Sequence, residues 1–395
     1  MSPKFKTLLI LTILLLAIPA CDFLPAPDPG PDPDIEGAIA TSVAATLAAE
    51  EIPDATEGVE PDVSPGIEPT GEMVLMPTDT SEPLILELIT LKAAYVKDGN
   101  VYYWEEGSPV LPLTSSGDAF DVRLSDDGDV VAFTRGPDYY QQELWAINSD
   151  GSNLRLLVDQ TTLSTYITNR NMVSARVYSF EFKPNTHQVA FNTQQTSLGP
   201  GLFINDDLRI VDADSTALTT ILPPGDAGNF FYSPDGTKIG LVTNEQVSVV
   251  NANGTGRIDL LAFPSVITYS EYQYYPPLYW TDDSSAIRVI VPPEDPMASP
   301  PEVTRIWDLP ADGSPPTPLM TMVTVAFPLN SAKLSRNGDR VAYLYQLTTG
   351  DPPTYDLHLA NADGSGDVVF ATGPLGFYGW GTDGEYFLYS DADPN

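Results

Sequence analysis

One repeated phrase constrains this chain more than any other feature. It first runs Val122-Arg-Leu-Ser-Asp-Asp-Gly-Asp-Val-Val-Ala-Phe-Thr134, then Glu143 to Gly151, then Asn153 to Leu157. It returns as Phe180-Glu-Phe-Lys-Pro184 with Val189-Ala-Phe191 and Leu208 to Asp214. A third copy holds Phe231-Tyr-Ser-Pro-Asp-Gly236, Ile239 to Val242 and Val247 to Gly254. Looser copies start at Leu278, at Lys333 and at Tyr378. The spacing of about 45 to 55 residues, with four short strands in most copies, makes each copy one supersecondary unit.

Within a copy, Asp-Gly or Asn-Gly joins the first strand to the second, and mostly the third to the fourth. These pairs supply the positive φ angles of tight hairpins. A four-stranded antiparallel unit cannot bury both faces alone, so such units stack around an axis as propeller blades. The expected fold is all-β, a six-bladed β-propeller over residues 86–395. The ends expose the closure. Lys92 to Val96, Val101 to Trp104 and Val110 to Thr114 read as second, third and fourth strands. Tyr378 to Tyr389 reads as a first and second strand with nothing after. Together they make one shared blade with Lys92–Val96 at its edge. Seven blades result if that extra strand pairs differently.

The phrase resembles the TolB-type β-propeller repeat of bacterial envelope proteins, clearest in Ser233-Pro-Asp-Gly236, Asn148-Ser-Asp-Gly151 and Asn361-Ala-Asp-Gly364. The resemblance, which is also WD-like, implies a fold and an envelope address and leaves the function open. The family's namesake carries an α/β domain before its propeller and has no lipid anchor. Its partner, the peptidoglycan-associated lipoprotein, is therefore not carried over.

The region before the repeats reads as an address and a spacer. Lys4 and Lys6 precede an apolar run from Leu8 to Pro19, followed by Ala20-Cys21. That is the pattern of a signal peptide over residues 1–20. Leu8 to Ala20 would span about 20 Å as a helix, short of the roughly 30 Å bilayer core. Ile18-Pro19-Ala20-Cys21 resembles the bacterial lipobox, which implies lipidation of Cys21, the one cysteine of the chain. Acyl chains contribute about 0.8 kcal/mol per buried methylene, enough for several chains to anchor a protein. Residues 21–85 are an acidic, Pro-rich tether without Lys or Arg, expected to be extended and solvated. Ile35, Ile39, Val43 and Leu47 recur every four residues, so a short helix over 35–49 is expected there. It is either a docking helix or a marginal turn within the tether.

Charge excludes one class of partner. The chain holds 18 Lys plus Arg against 54 Asp plus Glu, a net charge of −36. Such a field repels phosphate backbones, so a nucleic-acid binder is excluded.

In a blade, the first-to-second and third-to-fourth turns share one face, here built from tight turns. The opposite face receives the long segments, among them Gly136 to Gln142, Thr161 to Tyr178, Gln194 to Asp207 and Val266 to Pro277. Long loops on a rigid scaffold are where recognition residues sit. These hold Tyr139, Tyr140, Tyr166, Arg170, Arg176, Tyr178, Tyr269, Tyr272, Tyr274 and Tyr275. Tyr and Arg dominate contact energy at recognition sites, so these ten are the candidate ligand or partner face. Tyr178 and Tyr275, each beside a first strand, could instead wedge between blades.

Chemistry is sparse. His187 and His358 fall in different copies, which disfavours a shared metal or a catalytic triad. No nucleophile elbow or phosphate loop is present. No cofactor, metal or catalytic residue is assigned. The expected function is a lipid-anchored, extracytoplasmic and monomeric module that binds a protein, peptide or glycan at the cell envelope. The alternatives are a hydrolase of glycans or peptides using carboxylates in the channel, and a passive spacer.

Overall fold

The computed structural model describes residues 90–167, 171–199, 202–270, 272–325, 329, 331–381 and 386–391. The signal peptide, Cys21, the tether with its 35–49 helix, and Arg170 lie outside the described residues.

Every described sheet is antiparallel. The first comprises β1 (Lys92–Lys97), β2 (Asn100–Glu105) and β3 (Leu111–Pro112). The second is β4 (Ala119–Leu124), β5 (Val130–Arg135), β6 (Glu143–Asn148) and β7 (Arg155–Val158). A short helix, α1 (Gln160–Ser164), capped by Asp159, leads to the third sheet. That sheet holds β8 (Met172–Phe182), β9 (Gln188–Ser197), β10 (Leu202–Ile204), β11 (Leu208–Asp212) and β12 (Leu218–Leu222). The fourth is β13 (Asn229–Tyr232), β14 (Lys238–Val242), β15 (Gln246–Asn251) and β16 (Ile258–Ala262). The fifth is β17 (Leu278–Trp280), β18 (Ala286–Val291), β19 (Thr304–Pro310) and β20 (Thr317–Met322). The sixth is β21 (Ala332–Leu334), β22 (Arg340–Thr348), β23 (Thr354–Asn361) and β24 (Val368–Gly373). The last pairs β25 (Leu375–Trp380) with β26 (Phe387–Asp391).

These are propeller blades, and burial shows why the sequence builds them. Second strands such as β5, Val-Val-Ala-Phe-Thr-Arg, are buried at nearly every position, because a neighbouring sheet covers each face. Fourth strands such as β12 are largely exposed, because they form the outer rim. The apolar clusters lie between consecutive sheets. Val130, Leu144 and Val158 of the second meet Val177, Phe180 and Phe191 of the third. Val242 and Val249 of the fourth meet Leu278, Trp280 and Ile287 of the fifth.

Side chains also reach across the seams to the unpaired inner edges of the first strands. Trp280 Nε1 donates to the Phe231 carbonyl at 3.0 Å, and Trp380 Nε1 donates to the Lys333 carbonyl at 2.9 Å. The Tyr232 N–H donates to Glu181 Oε1 at 2.8 Å. An innermost strand has no ladder on its channel side, so such bonds satisfy polar groups that would otherwise be stranded.

The tight turns follow the repeat. Ser125 Oγ donates to Asp127 Oδ1 at 2.6 Å, and that carboxylate accepts the Asp129 N–H at 3.0 Å. Gly128 closes the turn at φ +77°, and Gly236 and Gly338 do the same at +67° and +75°. In the fifth sheet, where no glycine is available, Ser284 takes the left-handed conformation at +60°.

Two expectations are corrected. Among the described residues no ladder joins β26 to β1, β2 or β3, so the two ends do not form one shared sheet. Instead β1 packs against β4, with Ala94 and Val96 near Val122 and Leu124. The Lys92 ammonium donates to the Asp127 carbonyl at 2.8 Å, fastening that strand to the second blade. Five blades are complete, and end ladders of three and two strands stand where the remainder is expected. The second correction concerns Arg176 and Tyr178, which lie inside β8 and not in a loop. The polar run Asn192 to Ser197 continues β9 beyond its apolar core, and β8 lengthens to pair with it.

Candidate functional site

The loop face is most densely organised at the seam between the second and third blades. Arg176 stands directly across the ladder from Gln194. Its Nε and Nη2 donate to Gln194 Oε1 at 3.1 and 2.8 Å. Nη2 also donates to the Tyr139 hydroxyl at 2.7 Å, and Nη1 to the Val177 carbonyl at 3.3 Å. The guanidinium carbon lies 4.0 Å from the centre of the Tyr139 ring and 5.6 Å from that of Tyr178. Such placement over an aromatic face is attractive, more so when water is excluded. Arg176 is 3% exposed. Burial pulls its pKa below the ordinary value, against the Tyr139 and Tyr178 hydroxyls and Asp121, which favour the charge.

Local backbone geometry sets these side chains. Tyr178 falls at the register shift between Val177 and Ser179, and such an irregularity re-aims a side chain out of the ladder. Tyr139 and Tyr140 ride on the 136–142 loop, which is held at several points. The Tyr140 N–H donates to Asp138 Oδ1 at 2.8 Å, and Gln142 Nε2 donates to the Tyr139 carbonyl at 3.2 Å. The Val177 N–H donates to the Gln142 carbonyl at 3.3 Å, tying the loop to β8. A Cβ on Gly136 would sit 1.9 Å from the Gln141 carbonyl oxygen, so only glycine closes this loop. Tyr140 meets Tyr139 edge-on with centroids 5.6 Å apart, and each ring is 47% exposed.

Behind this cluster the third blade is unusually polar. Asp207 is fully buried; it accepts the Thr193 N–H at 2.8 Å and the Thr193 hydroxyl at 2.7 Å, and pairs with Arg209. Arg209 lies 3.5 Å from the centre of the Tyr166 ring. Tyr275 donates to Asp206 Oδ1 at 3.2 Å. Burial lifts Asp206 to about 6 against the Tyr275 bond, with Asp207 adding to the rise. Further along β8, burial raises Glu181 to about 7 despite the Tyr232 N–H and Arg123.

The nine described residues of the sequence-derived ten therefore separate. Tyr139, Tyr140, Arg176 and Tyr178 form one cluster, and Tyr275 joins the polar wall through Asp206. Tyr166 stacks on Arg209 instead. Tyr269 and Tyr272 are exposed on the segment that follows β16, where the Tyr269 hydroxyl donates to Asp295 Oδ1 at 2.6 Å. Tyr274 is partly covered, and burial, with Tyr279 beside it, raises its hydroxyl pKa. Gln194, Arg209, Asp206 and Asp207 were not singled out from sequence, although the run Asn192-Thr-Gln-Gln195 inside an apolar strand context is a visible signal.

The opposite face is built differently. His187 Nε2 lies 2.9 Å from Asp127 Oδ2, and its Nδ1 lies 2.9 Å from Asp214 Oδ2. Burial disfavours the charged ring, but the bonds to Asp214 and Asp127 outweigh it and raise the pKa. His358 Nδ1 lies 3.0 Å from Asp367 Oδ1 and its ring stacks on Tyr343. Among the described residues no group of three or more His, Cys, Asp or Glu side chains could hold a metal ion.

No protein-family model matches the chain, and no curated protein matches its sequence. Solved structures do show similarity. An oligogalacturonate lyase in complex with manganese is 13% identical, covering 69% of this chain and 70% of that one, with a TM-score of 0.47. The oligogalacturonate lyase of Vibrio parahaemolyticus is 13% identical over 75% of this chain and 78% of its own, with a TM-score of 0.47. TolB from Acinetobacter baumannii is 12% identical over 69% of this chain and 61% of its own, with a TM-score of 0.37.

Proposed function

We propose that this chain is a binding module, displayed outside the cytoplasm on a lipid attached to Cys21 and working as a monomer. Its loop face holds a protein, peptide or glycan at the cell envelope. The observation that carries the reading is the Arg176 cluster, a buried guanidinium clamped by Gln194 and Tyr139 with Tyr140 exposed beside it. An Arg held on a strand beside Tyr on a scaffold-held loop supplies preorganised contact area at little entropic cost. The basic-apolar leader ending at Ala20-Cys21 supports the anchor. No helix among the described residues is long and apolar enough to cross a membrane.

The test is crosslinking and co-purification from native membranes, comparing wild type with Tyr139→Ala/Tyr140→Ala after both are shown to fold. A partner captured by wild type and lost by the variant supports the reading. Equal capture by both removes the loop face from consideration.

A second reading, a hydrolase acting on glycans or peptides, draws on Glu181 and Asp206, whose raised pKa values suit proton transfer near neutrality. Turnover of a cell-wall glycan or peptide that disappears in Glu181→Gln or Asp206→Asn, with the fold intact, would favour it over a binding module.

A further inference from the structure

We propose that Arg176 anchors the carboxylate of a ligand that carries one negative charge and is otherwise neutral, and that Tyr139 is the cover this ligand displaces. The proposal rests on the loop face being the binding face and names the chemistry it selects.

Its basis is an exception. Among the described residues two arginines are buried, Arg176 and Arg209, while the others are at least partly exposed. Arg135 pairs with Asp118, Arg155 with Asp214, Arg209 with Asp207, and Arg288 with both Asp308 and Asp339. Arg176 is as buried as Arg209, in the same blade and likewise against a tyrosine ring. Yet among the described residues no carboxylate lies within ion-pair distance of it, and Asp121 acts only from further away. A buried guanidinium held by neutral groups alone is destabilising for the fold, which is expected when its counter-charge comes from outside.

The geometry shows where that charge would go. Gln194 Oε1 takes the Nε–Nη2 edge of the fork. The second N–H of Nη2 goes to the Tyr139 hydroxyl, and Nη1 spends one of its two on the Val177 carbonyl. The Nη1–Nη2 edge is thus occupied by one neutral oxygen where a carboxylate would supply two charged ones. Planar, two-point recognition of a carboxylate is what a guanidinium does best. The Tyr139 hydroxyl covers this edge and its ring the guanidinium face, while the residue remains half exposed. Its backbone is pinned through Gln142 and Gly136, so the ring can leave by side-chain rotation alone. The buried Gln142 Oε1, on the same loop, has no hydrogen-bond partner and offers an acceptor to a ligand hydroxyl or amide.

The net charge of −36 narrows the class. Polyanions are repelled at long range, whereas a single carboxylate on a neutral body loses little on approach. A peptide C-terminus and a monosaccharide acid both fit.

The test uses the full chain and follows the arginine Nε–Hε NMR signals. Five probes are added: propionate, acetyl-Ala-Ala beside its C-terminal amide, and glucuronate beside glucose. Saturable shifts with carboxylates and none with the amide or glucose are expected, and the stronger of the two larger acids identifies the source. Arg176→Lys should weaken binding by about tenfold or more, since one ammonium replaces a fork. Tyr139→Phe should tighten it severalfold, because the competing hydroxyl is gone while the ring remains. A purely structural Arg176 would not produce that gain. The proposal is overturned if no carboxylate shifts a signal saturably up to about 50 mM. It is equally overturned if binding survives Arg176→Gln. Partner capture lost in Tyr139→Ala/Tyr140→Ala but kept in Arg176→Gln would leave the binding face standing and remove the carboxylate.

Discussion

The tight-turn face of the propeller and the loop end of its third blade spend charge in opposite ways. On the tight-turn face, acids are numerous and mostly serve their own backbone. Asp127 accepts from Ser125 and the Asp129 N–H, Asp212 from Ser215, Asp235 from Thr237, and Asp283 from Ser285. Burial opposes ionisation of Asp127, but these bonds and His187 outweigh it and hold the carboxyl at about 2. At that loop end the described charges are few and largely buried, and both cations, Arg176 and Arg209, lie against rings. Density of charge marks punctuation in this molecule, and isolation of charge marks the candidate site.

That contrast can be broken by mutation. The largest effect should come from Arg209→Met, which leaves Asp207 buried without its cation. Chemical denaturation should register a loss of about 3–5 kcal/mol. Arg176→Gln, which strands no acid and removes a buried charge without a carboxylate partner, should cost less than about 1 kcal/mol or give a gain. Comparable losses from the two would erase the distinction drawn between them.

Next is Glu181, whose folded pKa of about 7 is raised by burial. A carboxyl raised on folding contributes its stability below the unfolded value near 4, and loses it as pH climbs through the folded value. Glu181→Gln should therefore gain on wild type between about pH 4 and 7, reaching at most about 3 kcal/mol above that window. Parallel stability curves for the two would show that the carboxyl is not strained.

His187 has the smaller and converse role. Its raised pKa means that the charged ring stabilises the seam below the unfolded value near 6.5, and that this is lost as pH rises through the folded one. His187→Gln should cost up to about 1 kcal/mol near pH 6 and almost nothing near pH 9. Smallest in stability is Tyr140→Ala, within about 0.5 kcal/mol, yet capture of the partner should fall clearly. A stability loss with capture unchanged would make Tyr140 a packing residue.

Much of this was legible in the chain. The repeated Asp-Gly turns and the apolar second strands marked blade positions, since both follow from local backbone geometry and burial. Arg176 and Tyr139 were legible as residue types suited to recognition. Their pairing was not, because it depends on β8 and β9 lengthening together, and a polar run such as Asn192 to Gln195 reads as loop when viewed alone. Nor could composition separate Tyr139 from Tyr269, since two tyrosine-bearing loops look alike until the strands beneath them are placed. The fate of the ends was opaque for a similar reason. Whether β1 pairs onward or packs on β4 is decided by contacts far apart in sequence.

The joints between blades have a consequence for how such a chain can change over generations. Trp280 reaches a carbonyl 49 residues back, and Trp380 reaches one 47 residues back. The same indole-to-edge clasp thus recurs at nearly the length of one repeat. A duplicated or excised block of that length, cut at either of these two seams, would carry one half of the clasp with it. A whole-unit change in blade number that falls at these two seams can then keep their chemistry, and the irregular loops are free to diverge on top.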